Sequence, residues 1–558
     1  MKTIAYGAFL VLLLVASVVL LRSIEPATDE SSTPRRLATL VGEDNNTLDL
    51  GKLENASAEE LFALGVDYLQ FWRVRDATEL FKRVVEADST HHGAWLKLVE
   101  CYASPLVANE EAERHALERA AATSPTPADT TVVTALRLLY QECDYAGAIA
   151  ALSTVVRGKD APADARYHLA MAYFLTGRLG DASKQLDALM KADATVGPVA
   201  ELAIRCDAAA RDYAAAGNGA RELARLYAEE PFPYVLLAQV ELAAGRRESA
   251  VEFCGNALSL DPRCVPAVIT RAFLYAESGE LETARVTFEK LMLFQDTMLS
   301  SIGHEGIGYV DFLGGDFEAG AEEMDESIRH AMMAGSTRRG LALAVRLVEY
   351  LCQLGQADRA EGVAERWVTG FGEVPMRLAR ARIQILRGDF ESAGDVLEHL
   401  QSDKEWLLWA RRLGIDPVEL AAQVDVGRQR PVQAIAELGA DSKVVTPVAA
   451  GAFARRAFLT GFAAFENGDA EAAAKSFTTA RQRMYGLEFP GHGDPVLYVQ
   501  SVFFLAESDL ARGGHAAARA SYEAFLAYWG EAAWDLEAVS RARKKIDALG
   551  ETAVPPQG

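Results

Sequence analysis

The sequence predicts an all-α fold, an α-solenoid of about a dozen paired helices preceded by one transmembrane helix. Three observations carry that expectation. Five alanines, Ala148, Ala182, Ala216, Ala250 and Ala284, stand 34 residues apart in one recurring pattern, the signature of a repeat architecture. Within the copy that starts at Ala163, small or apolar residues fall at Leu169, Ala170 and Tyr173, Gly177 interrupts, and Ala182, Leu186 and Leu189 follow. This is the spacing of two short amphipathic helices joined by a tight turn. Third, residues 3–21 are free of charge and bounded by Lys2 and Arg22.

Nineteen residues at 1.5 Å each cross a hydrocarbon core of about 30 Å, so 1–22 reads as an uncleaved anchor. A cleaved signal would have a shorter apolar run ending at a small-x-small site, and Glu25 spoils the nearest one. The positive residues on the two sides are nearly balanced. A short tail inserting first would leave the repeats outside the cytoplasm, as in a single-pass inner (cytoplasmic) membrane protein of a bacterium. Residues 23–56 are rich in Ser, Thr, Asp and Glu with Pro26 and Pro34, a composition too polar to offset its ordering entropy, so they read as a disordered acidic linker.

The solenoid begins at Ser57, spaced from Glu60 as a capping box. Helices of about 12 to 15 residues are marginal alone, so each pair must draw stability from its neighbours. Alanines at Ala170 and Ala182 let the two helices of a pair approach closely, while Tyr173 and Leu186 fill the gaps between pairs. Leu61, Leu64, Gly65, Tyr68, Ala77, Phe81 and Val84 fit the same pattern, as do Tyr234, Leu237, Ala238, Gly245, Ala250, Ala257 and Pro262, and then Ala272, Tyr275, Gly279, Ala284 and Phe288. This pattern resembles that of the tetratricopeptide repeat. The resemblance implies a right-handed superhelix of helix pairs that binds proteins or peptides on its concave face.

Regular copies fill 57–300. The copy after His92 gains residues near Pro105, and the spacing drifts through 301–446, where 405–445 is weakest and Pro431 should break or start a helix. Good copies return over 447–550 at Gly461, Gly468, Ala473 and Phe477, and at Leu505, Ala506, Gly513, Ala518 and Tyr522; 551–558 read as a disordered tail. The end of the chain resembles the closing repeats of tetratricopeptide tails on some bacterial serine/threonine kinases and regulators. The kinase motifs themselves are missing, so no activity is implied.

A net charge of −23 opposes binding to a phosphate backbone, which excludes nucleic acid as the expected partner. The six cysteines show no metal-ligand spacing and read as small core residues, with a Cys254–Cys264 disulfide open as an alternative. His304-Glu305 begins a zinc-protease motif, but Gly308 stands where the second histidine belongs. His91, His92 and His492 have no partners at ligand spacing. The chain is therefore expected to be no enzyme, with no metal, no cofactor and no evident small-molecule substrate.

Positions five, nine and twelve of the first helix should face the concave side. They carry Tyr167, Met171 and Phe174, then Ile269 and Phe273, then Phe458, Phe462 and Phe465. An apolar peptide or helix in the groove fits these residues, as does packing between adjacent first helices. The expected function is a membrane-anchored scaffold or adaptor for protein–protein interactions, with envelope complex assembly as one setting. The alternative is a regulatory or sensory subunit of a separate enzyme such as a kinase or cyclase.

Overall fold

The computed structural model describes residues 53, 55–158, 161–191, 196–401, 405–413, 415–439, 450–482 and 493–551. The anchor expected over 3–21, most of the 23–56 linker and the tail from 552 onward lie outside these residues. Among the described residues no helix is long and apolar enough to cross a membrane.

From Ser57 onward the described residues form 28 α-helices. The first ten pairs are α1 Ala58–Gln70 with α2 Val74–Ala87, α3 His92–Tyr102 with α4 Glu110–Ala122, α5 Pro127–Leu136 with α6 Tyr145–Val156, α7 Ala163–Leu175 with α8 Leu179–Lys191, α9 Val196–Ala209 with α10 Tyr213–Leu226, α11 Phe232–Ala243 with α12 Arg247–Leu260, α13 Val265–Glu277 with α14 Leu281–Glu289, α15 Thr297–Gly314 with α16 Phe317–Met333, α17 Thr337–Gln353 with α18 Ala357–Val363, and α19 Glu373–Leu386 with α20 Phe390–Gln401. A short helix, α21 Trp406–Leu413, interrupts the series. Three more pairs follow: α22 Pro417–Gly427 with α23 Pro431–Gly439, α24 Ala450–Glu466 with α25 Ala470–Gln482, and α26 Pro495–Ala511 with α27 His515–Trp529. Helix α28 Glu537–Glu551 ends the row.

The alanine ladder is the spine of this row. All five alanines are fully buried, because a methyl group is the largest side chain that fits where the second helix crosses the first. Where the approach is closer still the chain uses glycine: a Cβ on Gly65 would stand 2.6 Å from the Phe81 ring, and one on Gly461 would stand 2.9 Å from the Phe477 ring. Larger residues fill the space between pairs, as Leu186 and Leu189 do against Val199, Leu202 and Cys206.

The turn inside every pair but the second has one geometry. Gly177, Gly245, Gly279, Gly315, Gly355, Gly388, Gly468 and Gly513 have positive φ, and Trp72, Cys143, Arg211 and Gln429 take the same left-handed conformation in the other turns of this kind. The amide after each of these residues donates to a carbonyl five residues back, as Arg178 N does to Tyr173 O at 2.9 Å, except after Cys143, where Asp144 N donates six back to Leu138 O at 2.8 Å. That bond satisfies a carbonyl the helix end would otherwise leave open.

Ser57 accepts from Glu60 N while its own amide donates to Glu60 Oε2 at 2.9 Å, forming the expected capping box. The residues added near Pro105 form the connection between α3 and α4, and those added beyond Ala284 lengthen α15 and α16 to 18 and 17 residues. Pro431 starts α23, where its missing N–H costs no hydrogen bond.

Candidate interaction surface

The first helices carry the eight residues singled out for the groove, and the structure divides them. Ile269 and Phe273 are 2% and 5% exposed, with Phe273 edge-on to Phe288 and Tyr309 at ring separations of 5.1 and 5.2 Å. Phe458 is buried against Phe477 at 5.6 Å. These three pack within and between pairs. Tyr167, Met171 and Phe174 are half-buried on α7, and Phe462 and Phe465 are half-buried on α24, so each group offers part of its apolar surface outward.

Phe504 on α26 is the residue that sequence spacing did not single out. Its ring meets Phe458, Phe462 and Phe465 edge-on at 6.0, 5.3 and 5.8 Å and stacks on Phe477 of α25 at 5.5 Å, which joins α24 and α25 to α26. Edge-to-face pairs of this kind add about 0.5–1.5 kcal/mol each beyond their buried area. The α24 aromatics are thus held rigidly, a favourable condition for a contact surface because little side-chain freedom remains to be lost on binding.

Beneath the surface the first helices bury charge, and each buried carboxylate faces a guanidinium or ammonium. Glu305 takes both Arg339 and Arg346; Glu349 takes Arg382 at 2.6 Å and Arg455 at 3.7 Å; Glu507 takes Arg541 and the Tyr522 hydroxyl, which donates to it at 2.5 Å. Around α3 and α7, Lys97 Nζ lies 3.0 Å from both Glu100 and Asp164. Glu100 also meets His168 Nε2 at 3.1 Å, while His168 Nδ1 lies 3.2 Å from the Tyr140 hydroxyl. Burial pushes the Glu100 carboxyl up, but Lys97 and His168 outweigh it and hold it at about 2. His168 is 1% exposed, so the centre of this chain of polar groups is shielded from water while Asp164 lies at its open end, and together they tie pairs two to four to one another.

Of the histidines weighed as ligands, His492 lies outside the described residues and the others have structural partners. His91 accepts from Ala94 N at 3.0 Å as the cap of α3, His92 lies 3.1 Å from Ala120 O, and His304 meets Glu323 at 2.7 Å and stacks on His330. Among the described residues no group of His, Cys, Asp and Glu side chains is arranged to hold a metal ion. Cys101, Cys206, Cys254 and Cys264 are buried, Cys143 and Cys352 are half-buried, and none forms a disulfide. Cys254 and Cys264 remain separate thiols that burial pushes up to about 12. A cleft of about 580 Å³ also opens beside α16, with Leu347, Leu351 and Val363 among its lining and Glu322, Glu326 and Arg329 at its polar side.

Residues 139–203 match the family model described as tetratricopeptide repeat. Among solved structures, the chain is similar to PilW, a widely conserved type IV pilus biogenesis factor (17% identity, TM-score 0.27, covering 38% of this chain and 97% of that one). It is also similar to yeast Tom70 (14%, 0.35, 82% and 96%) and to the APC/C hetero-tetramer Cut9–Hcn1 (12%, 0.29, 90% and 98%). No curated protein matches the sequence. Residues 139–203 thus carry tetratricopeptide repeats, and the 34-residue pattern with its buried alanine crossings continues the same helix-pair packing along the described residues on both sides.

Proposed function

We propose that this chain is a protein-binding scaffold, anchored in a bacterial inner membrane through residues 3–21, whose repeats lie outside the cytoplasm and gather partners of an envelope complex. The observation that carries the reading is the set of half-buried apolar side chains on first helices: Tyr167, Met171 and Phe174 on α7, and Phe462 and Phe465 on α24. An amphipathic helix or apolar peptide matches such a surface, since its own apolar face finds ring and thioether surface already held in place. The span supplies location and the repeats supply area.

The double variant Met171→Ala/Phe462→Ala tests the surface. It should reduce retention of a partner captured by the wild-type full chain at least ten-fold, while the circular dichroism of the variant stays unchanged. Undiminished retention would refute the assignment. A reporter fused after Gly550 tests the orientation: activity of a reporter that works only in the cytoplasm would contradict it.

A further inference from the structure

The row of pairs coils tightly enough that pairs four to seven apart touch, and those contacts are of two chemical kinds. Within the first six pairs the contact is aromatic. Trp72, in the turn between α1 and α2, stacks on Phe232 at 4.7 Å, meets Tyr227 edge-on at 6.3 Å and donates from Nε1 to Glu201 at 2.7 Å. Trp72 holds a left-handed backbone that glycine would adopt without strain, so the fold keeps this indole at a conformational cost. From the seventh pair onward the contact is again aromatic. Trp529 is 1% exposed, packs edge-on to Phe317 at 5.2 Å and donates to Phe312 O at 3.1 Å, while Ala533 N donates to Gly315 O at 3.2 Å.

Where the sixth pair stacks on the seventh the halves share buried apolar side chains, Val235 and Ala257 with Ala267, and Cys254 with Leu274; elsewhere the contact between them is mostly polar. Arg75 pairs with Asp296 at 2.6 Å. Glu110 N donates to Gly335 O at 3.2 Å, and the Glu110 carboxylate in return accepts from Thr337 N at 2.5 Å and Arg338 N at 3.2 Å. The N-termini of α4 and α17 thus satisfy each other's open amides, and Ser336, which precedes α17, makes no side-chain cap of its own. Arg338 binds Glu110, Glu113 and Tyr140 O, and Arg412 binds Gln141 O. Leu106 and Ala108, together with Leu258 at the junction of the sixth and seventh pairs, are the apolar residues of the first half that rest against the core of the second. A cleft of about 540 Å³ lies at this seam, lined in part by Asn109, Arg114, Thr337, Trp409 and Arg412.

We propose that the two halves form a hinged clamp. The pivot is the stacked sixth and seventh pairs, which stay joined through Val235, Ala257, Cys264 and Ala267, and the Glu110–Arg338 seam is the latch. The inference rests on the scaffold reading for what the clamp admits, a protein partner reaching the first-helix surface, but not for the motion itself. Water can replace each bond of a polar seam as it opens, whereas parting Trp529 from Phe317 would expose buried rings, so the seam opens first. The halves turn as bodies because the aromatic contacts tie each one to itself.

Hydrogen–deuterium exchange on the full-length protein without partner tests this. Raising NaCl from 0.05 to 1 M should speed exchange of the Glu110, Thr337 and Arg338 amides at least five-fold, with Ala533 unchanged, because salt weakens charged contacts. Arg338→Ala should speed the same amides at least ten-fold and raise the radius of gyration in small-angle scattering. Arg338→Lys, which keeps the charge and loses the fork of donors, should fall between. Equal rates at Thr337 and Ala533 across the salt series would overturn the latch, and that comparison needs no variant to fold. Partner retention by the Met171→Ala/Phe462→Ala protein is read separately: normal retention with a working latch sinks the scaffold surface, and lost retention with no seam opening sinks the latch.

Discussion

Replacing one hydrogen by a methyl group should have opposite effects at two glycines, and the sign tests how the pairs pack. Gly65 lies inside α1 with the Phe81 ring of α2 against its Cα; a Cβ there would stand 2.6 Å from Cε1 and 2.9 Å from Cζ. Phe81 is fully buried, so its ring has nowhere to retreat without moving α2. Overpacking of this kind costs about 1–3 kcal/mol, and the gain in helix propensity from glycine to alanine returns about 1 kcal/mol. Gly65→Ala should therefore lower stability by up to about 2 kcal/mol. Gly255 lies inside α12, and a methyl group on its Cα would meet nothing within 4 Å, so Gly255→Ala gains propensity alone and should raise stability by about 0.5–1 kcal/mol. Phe81→Leu should absorb much of the added methyl in the double variant with Gly65→Ala, and this coupling is read as a double-variant cycle. Differential scanning calorimetry with chemical denaturation resolves both changes, and a solenoid can unfold in segments, so each variant is compared within its own transition. Gly65→Ala as stabilising as Gly255→Ala would refute the close crossing of α1 and α2.

Three further outcomes follow from the buried charge and thiols. Glu305, 3% exposed and bound to Arg339 and Arg346, leaves two guanidiniums without a counter-charge when changed to alanine; a loss of about 3–5 kcal/mol is expected by denaturant titration, and less for Glu305→Gln. Glu100 is held at about 2 against a reference of 4.5, so its ionised form contributes stability above pH 4.5 that is lost as pH falls toward 2. Relative to Glu100→Gln, wild type should lose about 3 kcal/mol between pH 6 and pH 2, measured by paired melts across that range. Burial pushes Cys101, Cys206, Cys254, Cys264 and Cys352 up to about 12, so iodoacetamide at pH 8 should leave these five unmodified in the native protein, and mass spectrometry should find them alkylated after denaturation.

The alanine ladder, the Ser57 cap, the turn glycines and the helix start at Pro431 were all legible in the sequence, because each is enforced within a pair or between neighbours. A 34-residue period records local packing. It carries no trace of Trp72 on Phe232 or Glu110 on Thr337, which are 160 and 227 residues apart and depend on how tightly the whole row coils. Trp72, Cys143, Arg211 and Gln429 hid their turns because sequence reading associates their left-handed conformation with glycine; at Trp72 the distant contacts with Tyr227, Phe232 and Glu201 accompany it. The groove residues divided because helical spacing identifies an apolar face without saying which neighbour covers it. Phe273 faces Phe288 and Tyr309, while Phe174 keeps part of its ring outward. Phe504 lies one residue outside the positions used to locate the surface, and its role emerges only when α24 and α26 are seen together.

The most direct measurement of the scaffold reading is photocrosslinking in living cells from the full chain, with the reactive side chain placed in turn at Met171, Phe174, Phe462 and Phe465, and at Leu226 and Val251 as exposed second-helix controls. The account predicts that the same discrete protein adduct forms from the α7 and α24 positions, is absent from the controls, and disappears in the presence of excess competing wild-type chain. Equal labelling from Leu226 and Val251, or no common adduct from α7 and α24, would contradict it.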